Sequence, residues 1–312
     1  MDAKENFIKA ITFSNPEYVP YYGEDVVKVF YYDGAWPPNH GKCIWGVTWD
    51  SRDPRVLPIS VAHPIVQLED IYKYQFPAIN DFSFNKLKSD IEKINRNYHF
   101  IAGGHPFVLF ERAWTLTGMD NLLIWMITNE DEIRYLFRKI SDFQIAVAQQ
   151  YLALGVDIGW LSGDDYGGKE SMLFSPQLFR KYIKPELARI VNVYKNAGKL
   201  VFFHSCGHIM EIVEDLIEIG IDILNPVQAT ANNLSILKKI ADSKLALWGG
   251  VDADLIMRGT PDDVRREVIR CIKLLAPGGG YIVSPDQELP FPKENIEIFI
   301  ETAKEYGKYP IL

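Results

Sequence analysis

A single (β/α)8 TIM barrel is the fold class that the sequence predicts, on three observations. From about Asn129 onward, short continuous apolar runs alternate with amphipathic segments of helical period. The clear runs end in polar residues or glycine, at His105, Asp164, Cys206, Asn225, Asp252 and Asp286. No G-x-G-x-x-G cradle follows the first strand, as a dinucleotide-binding open sheet would require. A barrel carries polar groups at the carboxyl end of every strand, whereas an open sheet gathers them at one crevice.

The elements follow in order. "YVPYYGE" and "YHFIAGGH" read as strands, with "VVKVFYYDG" the least regular candidate between them. The segment Gly34–Asp90 breaks the alternation, because short aromatic and β-branched runs in it are separated by proline and Asp-Pro. It predicts a small antiparallel excursion, an irregular N-terminal elaboration over the barrel mouth. "NEDEIRYLFRKISDFQIAVAQQYLALG" predicts a helix capped by Thr128 and closed by Gly155. The strand "VDIGWLSGDD" follows, then a helix opened by Ser175 and Pro176, which Pro185 should kink or split. Strands "KLVFFHSC", "DILNPVQ", "LALWGGVD" and "GYIVSPD" then alternate with helices to the last one, "PKENIEIFIETAKEYG". Without repeats or low-complexity stretches, one domain over 1–312 is expected.

Composition bounds the function. A formal charge of −8 and the lack of any Lys/Arg block argue against a nucleic-acid partner. No apolar run approaches the roughly 18–20 residues that span a bilayer, so no membrane partner is expected. The start shows no apolar signal region, and three scattered cysteines make no disulfide framework, so a reducing cytoplasm is the default.

"FFHSCGH" places His204 and Cys206 two residues apart at a strand end, on one face and directed to the mouth. Together they suggest a metal, although zinc needs at least three protein ligands. Cys271 belongs to an apolar helical stripe with Val264, Val268 and Leu275, and Cys43 lies in the excursion. Asp164 and Asp165 end one strand and face opposite ways, so one of them enters the cavity. Asn225, Gln228 and Asp252 stand at later strand ends as candidate substrate-binding groups, and "SPDQELP" adds Asp286 and Glu288. "FERAWTLTG" and His105 are candidates for the wall.

"DDYGGKESMLFSPQLFRKYIKPELARIV", "HSCGHIMEIVEDLIEIGIDILNPVQ", "WGGVD" and "PKENIEIF" together resemble the uroporphyrinogen decarboxylase superfamily over about two thirds of the chain. The resemblance implies a (β/α)8 barrel and one of two activities. The decarboxylase branch opens with an arginine-rich stretch that grips carboxylates, and "YVPYYGEDVVKVFYYDG" has no arginine. The other branch, cobalamin-dependent methyltransferases, implies methyl transfer from a corrinoid on a partner protein to a small acceptor. In members acting on coenzyme M, a zinc-dependent thiol reaction, the metal is held by His-x-Cys and a later cysteine. Here the pair is His204 and Cys206, but Gln287 stands at the later position, leaving Glu288 or Asp286 as the third ligand. With that departure, tetrahydrofolate is the expected acceptor, recognised by Asp164 or Asp165 with Asn225 and Gln228, in one-carbon metabolism. His204 and Asp165 are then the catalytic candidates, since an ordinary histidine pKa of about 6.5 permits proton transfer. A tightly held zinc is not expected from two firm ligands. The alternatives are thiol methylation, uroporphyrinogen decarboxylation, or a non-catalytic module that binds a corrinoid or pterin.

Overall fold

The computed structural model describes residues 1–53 and 57–311. Its strands are β1 (Val27–Phe30), β2 (His40–Lys42), β3 (Thr48–Asp50), β4 (Ile59–Ala62), β5 (Phe100–His105), β6 (Ile158–Leu161), β7 (Leu200–His204), β8 (Ile223–Asn225), β9 (Ala246–Val251) and β10 (Tyr281–Pro285). Seven of them form one parallel sheet in the order β1-β5-β6-β7-β8-β9-β10, with helices in the crossovers from β5 onward. The Val283 amide donates to the Pro20 carbonyl and the Tyr22 amide donates to the Val283 carbonyl, each at 2.9 Å. This parallel bridge ties the chain just before β1 to the last strand and makes the sheet TIM-barrel-like. The candidates "YVPYYGE" and "VVKVFYYDG" thus exchange roles. The second contains a regular strand, while the first makes only isolated bridges, at Tyr18 and Tyr21, in a segment where Pro20 has no amide to donate.

Side-chain alternation along the strands builds two cores. Inside the sheet lie Ala102, Ile158, Phe202, Ile223, Ala246 and Ile282, with Trp160 and Trp248 packed on them. Phe7 and Ile11, on the apolar face of the helix Ala3–Ile11, join the same cluster. Residues of the opposite parity, such as Leu161, Val201, Phe203 and Leu247, pack in the larger core with the surrounding helices. His105 has this outward parity. Its Nδ1 lies 2.9 Å from Gln144 Oε1 and its Nε2 lies 2.6 Å from the Tyr194 hydroxyl, so it is buried in the helix layer and lines no mouth.

Two helix boundaries depart from expectation for local reasons. Thr128 ends the helix Met119–Thr128, its hydroxyl donating to the Ile124 carbonyl, and Asn129 precedes the next helix, Glu130–Ala153. A threonine hydroxyl can bond back one turn as readily as it can cap forward. Gly155, at φ +75°, stops that helix as expected. Ser175 accepts from the Leu178 amide and opens the helical segment Pro176–Leu178; a π turn over Phe179–Ile183 then absorbs the disruption before the helix Lys184–Asn196. Pro185 sits in the first turn of that last helix, where its missing N–H costs no helical bond.

The excursion is antiparallel, in the order β2-β3-β4, and residues 54–56 within it lie outside the described ones. It packs beside the carboxyl end of β5. Trp36 and Trp49 contact Phe107, and Trp45 meets Phe143 edge-on at 4.7 Å. The buried Arg112 guanidinium lies 4.3 Å from the Trp45 ring and 4.9 Å from Phe107. Cys43 Sγ accepts from Trp49 Nε1 at 3.3 Å.

Candidate functional site

A cavity of about 370 Å³ opens at the carboxyl ends of the strands. His204, Asn225, Ser284, Asp286, Gln287 and Glu288 line it, above aromatic walls from Tyr22, Tyr31, Trp160, Phe202 and Trp248. None of its described lining residues comes from Gly34–Asp90, so the excursion supplies no wall of this cavity. The site is made by strand ends because inward parity at the last turn of each strand leaves polar residues with no core to fill.

His204 is held by an ordered chain of hydrogen bonds. Asn225 Nδ2 donates to the Trp248 carbonyl at 3.2 Å, which turns Asn225 Oδ1 toward His204 Nδ1 at 2.6 Å. Oδ1 can only accept, so Nδ1 carries the proton and Nε2 keeps its lone pair. That lone pair faces Cys206 Sγ at 3.2 Å and Asp165 Oδ1 at 3.8 Å. Asp165 Oδ1 also accepts the Cys206 amide at 2.7 Å. Gln287 Nε2 also donates to Cys206 Sγ, at 2.9 Å. Burial and the Asp165 carboxylate push the Cys206 thiol well up.

Asp165 reaches this position because two loops dock back to back. The His208 amide donates to the Gly168 carbonyl at 2.7 Å, and the Tyr166 amide donates to Ser205 Oγ at 3.1 Å. A Cβ on Gly207, at φ +79°, would stand 2.2 Å from the Gly167 carbonyl oxygen, so no other residue permits this approach. Asp164 points the other way. It is fully buried, accepting from the Leu109 amide at 3.1 Å, the Glu111 amide at 2.8 Å and the Tyr166 hydroxyl at 2.6 Å. Burial nevertheless lifts its pKa to about 7. It fastens the start of the helix Phe110–Thr117 and does not line the cavity.

The other expected residues are placed as follows. Gln228 Oε1 accepts the Gly207 amide at 2.9 Å and braces the His-x-Cys turn. Asp252 caps the helix Ala253–Arg258, accepting from Asp254 and Leu255. Asp286 lines the cavity and accepts the Ala253 amide at 2.9 Å, and burial raises its pKa to about 6. Glu288 lines the cavity but does not join the donor cluster, in which Asp165 takes the carboxylate place expected for Glu288. Cys271 is buried in the helix layer, its thiol donating to the Gly250 carbonyl at 3.1 Å. Glu111 was not singled out by sequence. It belongs to the wall segment "FERAWTLTG", and its carboxylate overhangs Gly163, where a Cβ would stand 2.9 Å from Oε2. Burial, then Asp165 and Asp164, drive its pKa well up.

His204, Cys206 and Asp165 each offer one donor atom, all within 4.8 Å of one another, the one such trio among the described residues. Zinc bonds of about 2.0–2.3 Å at tetrahedral angles put neighbouring donors about 3.4–3.6 Å apart. The separations of 3.2 and 3.8 Å lie on either side of that range, and the nitrogen, sulfur and oxygen set suits zinc. The residues present therefore fit a zinc ion with one position open.

Comparison with known proteins agrees with this architecture. Residues 55–306 match the family described as uroporphyrinogen decarboxylase (URO-D). A methylated-thiol–coenzyme M methyltransferase of Methanosarcina mazei is 25% identical over 228 residues, which are 69% of this chain and 56% of the relative. This chain thus aligns with little more than half the length of that relative. A solved methyltransferase structure from Methanosarcina mazei superposes with a TM-score of 0.76 over 98% of this chain and 99% of the other, at 17% identity, a likeness of fold. The family match spans most of the chain and the fold likeness nearly all of it, and on these grounds the protein belongs to the uroporphyrinogen decarboxylase (URO-D) family.

Proposed function

We propose that the protein is a methyltransferase that moves a methyl group from a methylated corrinoid, presented by a partner protein, to the sulfur of a small thiol. The observation that carries this reading is the His204–Cys206–Asp165 trio, three zinc-type donors converging beside the cavity, which His204 lines. The name of the methylated-thiol–coenzyme M methyltransferase relative supports the same reaction class. In the transfer a carbon–sulfur bond forms, the carbon–cobalt bond breaks, and cobalt keeps the electron pair. The acceptor must first lose its thiol proton, because the thiolate is the nucleophile. A zinc ion held by the three side chains would supply the positive charge that lowers a thiol pKa.

The residues of the chain divide the remaining work. Asn225 fixes the His204 tautomer so that Nε2 is free to bind, as outer-shell partners of metal-binding histidines commonly do. Gln228 and the Gly167–Gly207 contact hold the turn that carries Cys206. The Gln287 amide hydrogen bond favours a thiolate at Cys206. Tetrahydrofolate, the acceptor expected from the missing cysteine, has less support. Of the groups expected to recognise a pterin, Asp164 is sealed, while Asn225 and Gln228 are already engaged with the chain.

Metal analysis together with turnover tests the reading. Near one zinc per chain is expected, lost on Cys206→Ala. Methylcobalamin should be demethylated in the presence of a thiol, and a chelator should stop the reaction. Metal-free protein that demethylates methylcobalamin with tetrahydrofolate and not with thiols would overturn it.

A further inference from the structure

The cavity next to the trio has a composition of its own. Tyr22, Tyr31, Trp160, Phe202 and Trp248 supply its apolar walls, and Asp286 and Glu288 supply its acidic ones. Among its described lining residues there is no lysine or arginine. Trp160 lies parallel to Phe202, ring centroids 3.5 Å apart, and Trp248 meets both edge-on at 5.6 Å. Phe202 is 2% exposed, whereas Trp160 and Trp248 are only half-buried and keep ring surface open. Tyr31 lies against β5 at Gly104, where a Cβ would stand 2.2 Å from the ring. Its hydroxyl donates to Ser162 Oγ at 3.2 Å, which settles the ring at the cavity edge.

Charge then decides which molecules suit this space. A zinc ion beside it would be balanced by one thiolate and one carboxylate, leaving the Asp286 and Glu288 charges without a basic partner. An anionic group brought here would be desolvated against two carboxylates, and no cation is present to offset that cost. An ammonium group would find the reverse. Aromatic faces attract cations through their ring quadrupoles, and desolvation strengthens the attraction. The net charge of −8 favours the approach of cations from a distance as well.

We infer that the cavity takes a small molecule carrying an organic cation, an amine or quaternary ammonium group, seated among Tyr22, Tyr31, Trp160, Trp248 and Glu288. The inference names the substrate class of the proposed transfer and rests on that reading for the role of the bound molecule. Under it, the acceptor is a thiol with a cationic end, its sulfur at His204 and Cys206 and its ammonium group in the aromatic and acidic part.

Two measurements on the full chain separate the inference from the transfer reading. Binding is followed by tryptophan fluorescence with choline, its neutral isostere 3,3-dimethylbutanol, and propane sulfonate. Choline should bind at least about 10-fold more tightly than the other two, and both Glu288→Gln and Trp248→Leu should erase most of that preference. Equal binding of all three, or preference for the sulfonate, overturns the inference whatever the turnover shows. Demethylation of methylcobalamin is then compared with 2-aminoethanethiol, 2-mercaptoethanol and 2-mercaptoethanesulfonate. The cationic thiol should have the highest kcat/KM and the anionic one the lowest, and the opposite order overturns the acceptor assignment. Cation-selective binding without turnover on any thiol would sink the transfer reading and leave the cation site standing.

Discussion

Gln287 Nε2 donates a hydrogen bond to Cys206 Sγ at 2.9 Å, so an amide side chain is aimed at the thiol of the donor trio. The turn after β10 therefore already brings a side chain to the cluster. Only its chemistry differs from a sulfur-rich site.

Gln287→Cys should convert that contact into a fourth ligand. Zinc affinity depends on ligand number and type, so it should rise by at least about 10-fold in competition with a chromogenic chelator. Unchanged affinity would show that the side chain at 287 does not reach the metal. Thiol turnover should fall in the same variant, because a closed zinc site leaves no position for the acceptor.

Asp164→Asn should cost stability more than chemistry. The carboxylate accepts from two backbone amides and one hydroxyl, and an amide in its place would turn a donor toward donors. A loss of about 1–3 kcal/mol in urea unfolding is expected from a buried, unsatisfied group. Zinc content should be kept, since Asp164 is not among the donors. Loss of zinc with stability unchanged would contradict this division between Asp164 and Asp165.

The pH dependence of stability should carry a contribution from His105, whose pKa burial lowers from 6.5 to about 4. Between those values the unfolded chain binds a proton that the folded chain refuses. The contribution is complete above pH 6.5 and is lost as pH falls toward 4, amounting to on the order of 3 kcal/mol. Asp164 and Asp286, raised to about 7 and about 6, act in the opposite sense, so their contributions are lost as pH rises. The His105 contribution is isolated by comparing the protein with His105→Gln in urea titrations across pH 4–7. The stability difference between the two should widen with pH, and a constant difference would refute the assignment.

Much of this arrangement was legible in the residues themselves. Strand–helix alternation with polar strand ends anticipates the TIM-barrel-like fold, and the Ser175–Pro176 start and Gly155 stop are local signals that tertiary context leaves intact. That Asp164 and Asp165 face opposite ways followed from alternation alone; Asp165 joins the donor trio and Asp164 does not, and neither lines the cavity. Parity also bears on His105, but a reading that stops at which residue ends a strand does not ask which way it points. Telling the neighbouring segments "YVPYYGE" and "VVKVFYYDG" apart was harder, because a bridge and a strand can share the same apolar character.

The sequence by itself determined that His204 and Cys206 stand together at a strand end, since two-residue spacing is a property of one chain segment. Only the tertiary structure decided that Asp165 and not Glu288 completes the trio. That choice depends on loops about 40 residues apart, around Gly167 and Gly207, which approach closely enough only because neither has a side chain. The tertiary structure likewise decided that the cavity has aromatic and acidic walls with no lysine or arginine among its described lining residues, because that lining converges from strand ends and loops spread from Tyr22 to Glu288. Local propensity and spacing act over a few residues. Which side chains meet across a cavity is set by sheet order, strand parity and close loop contact, and these exist only once the chain has folded.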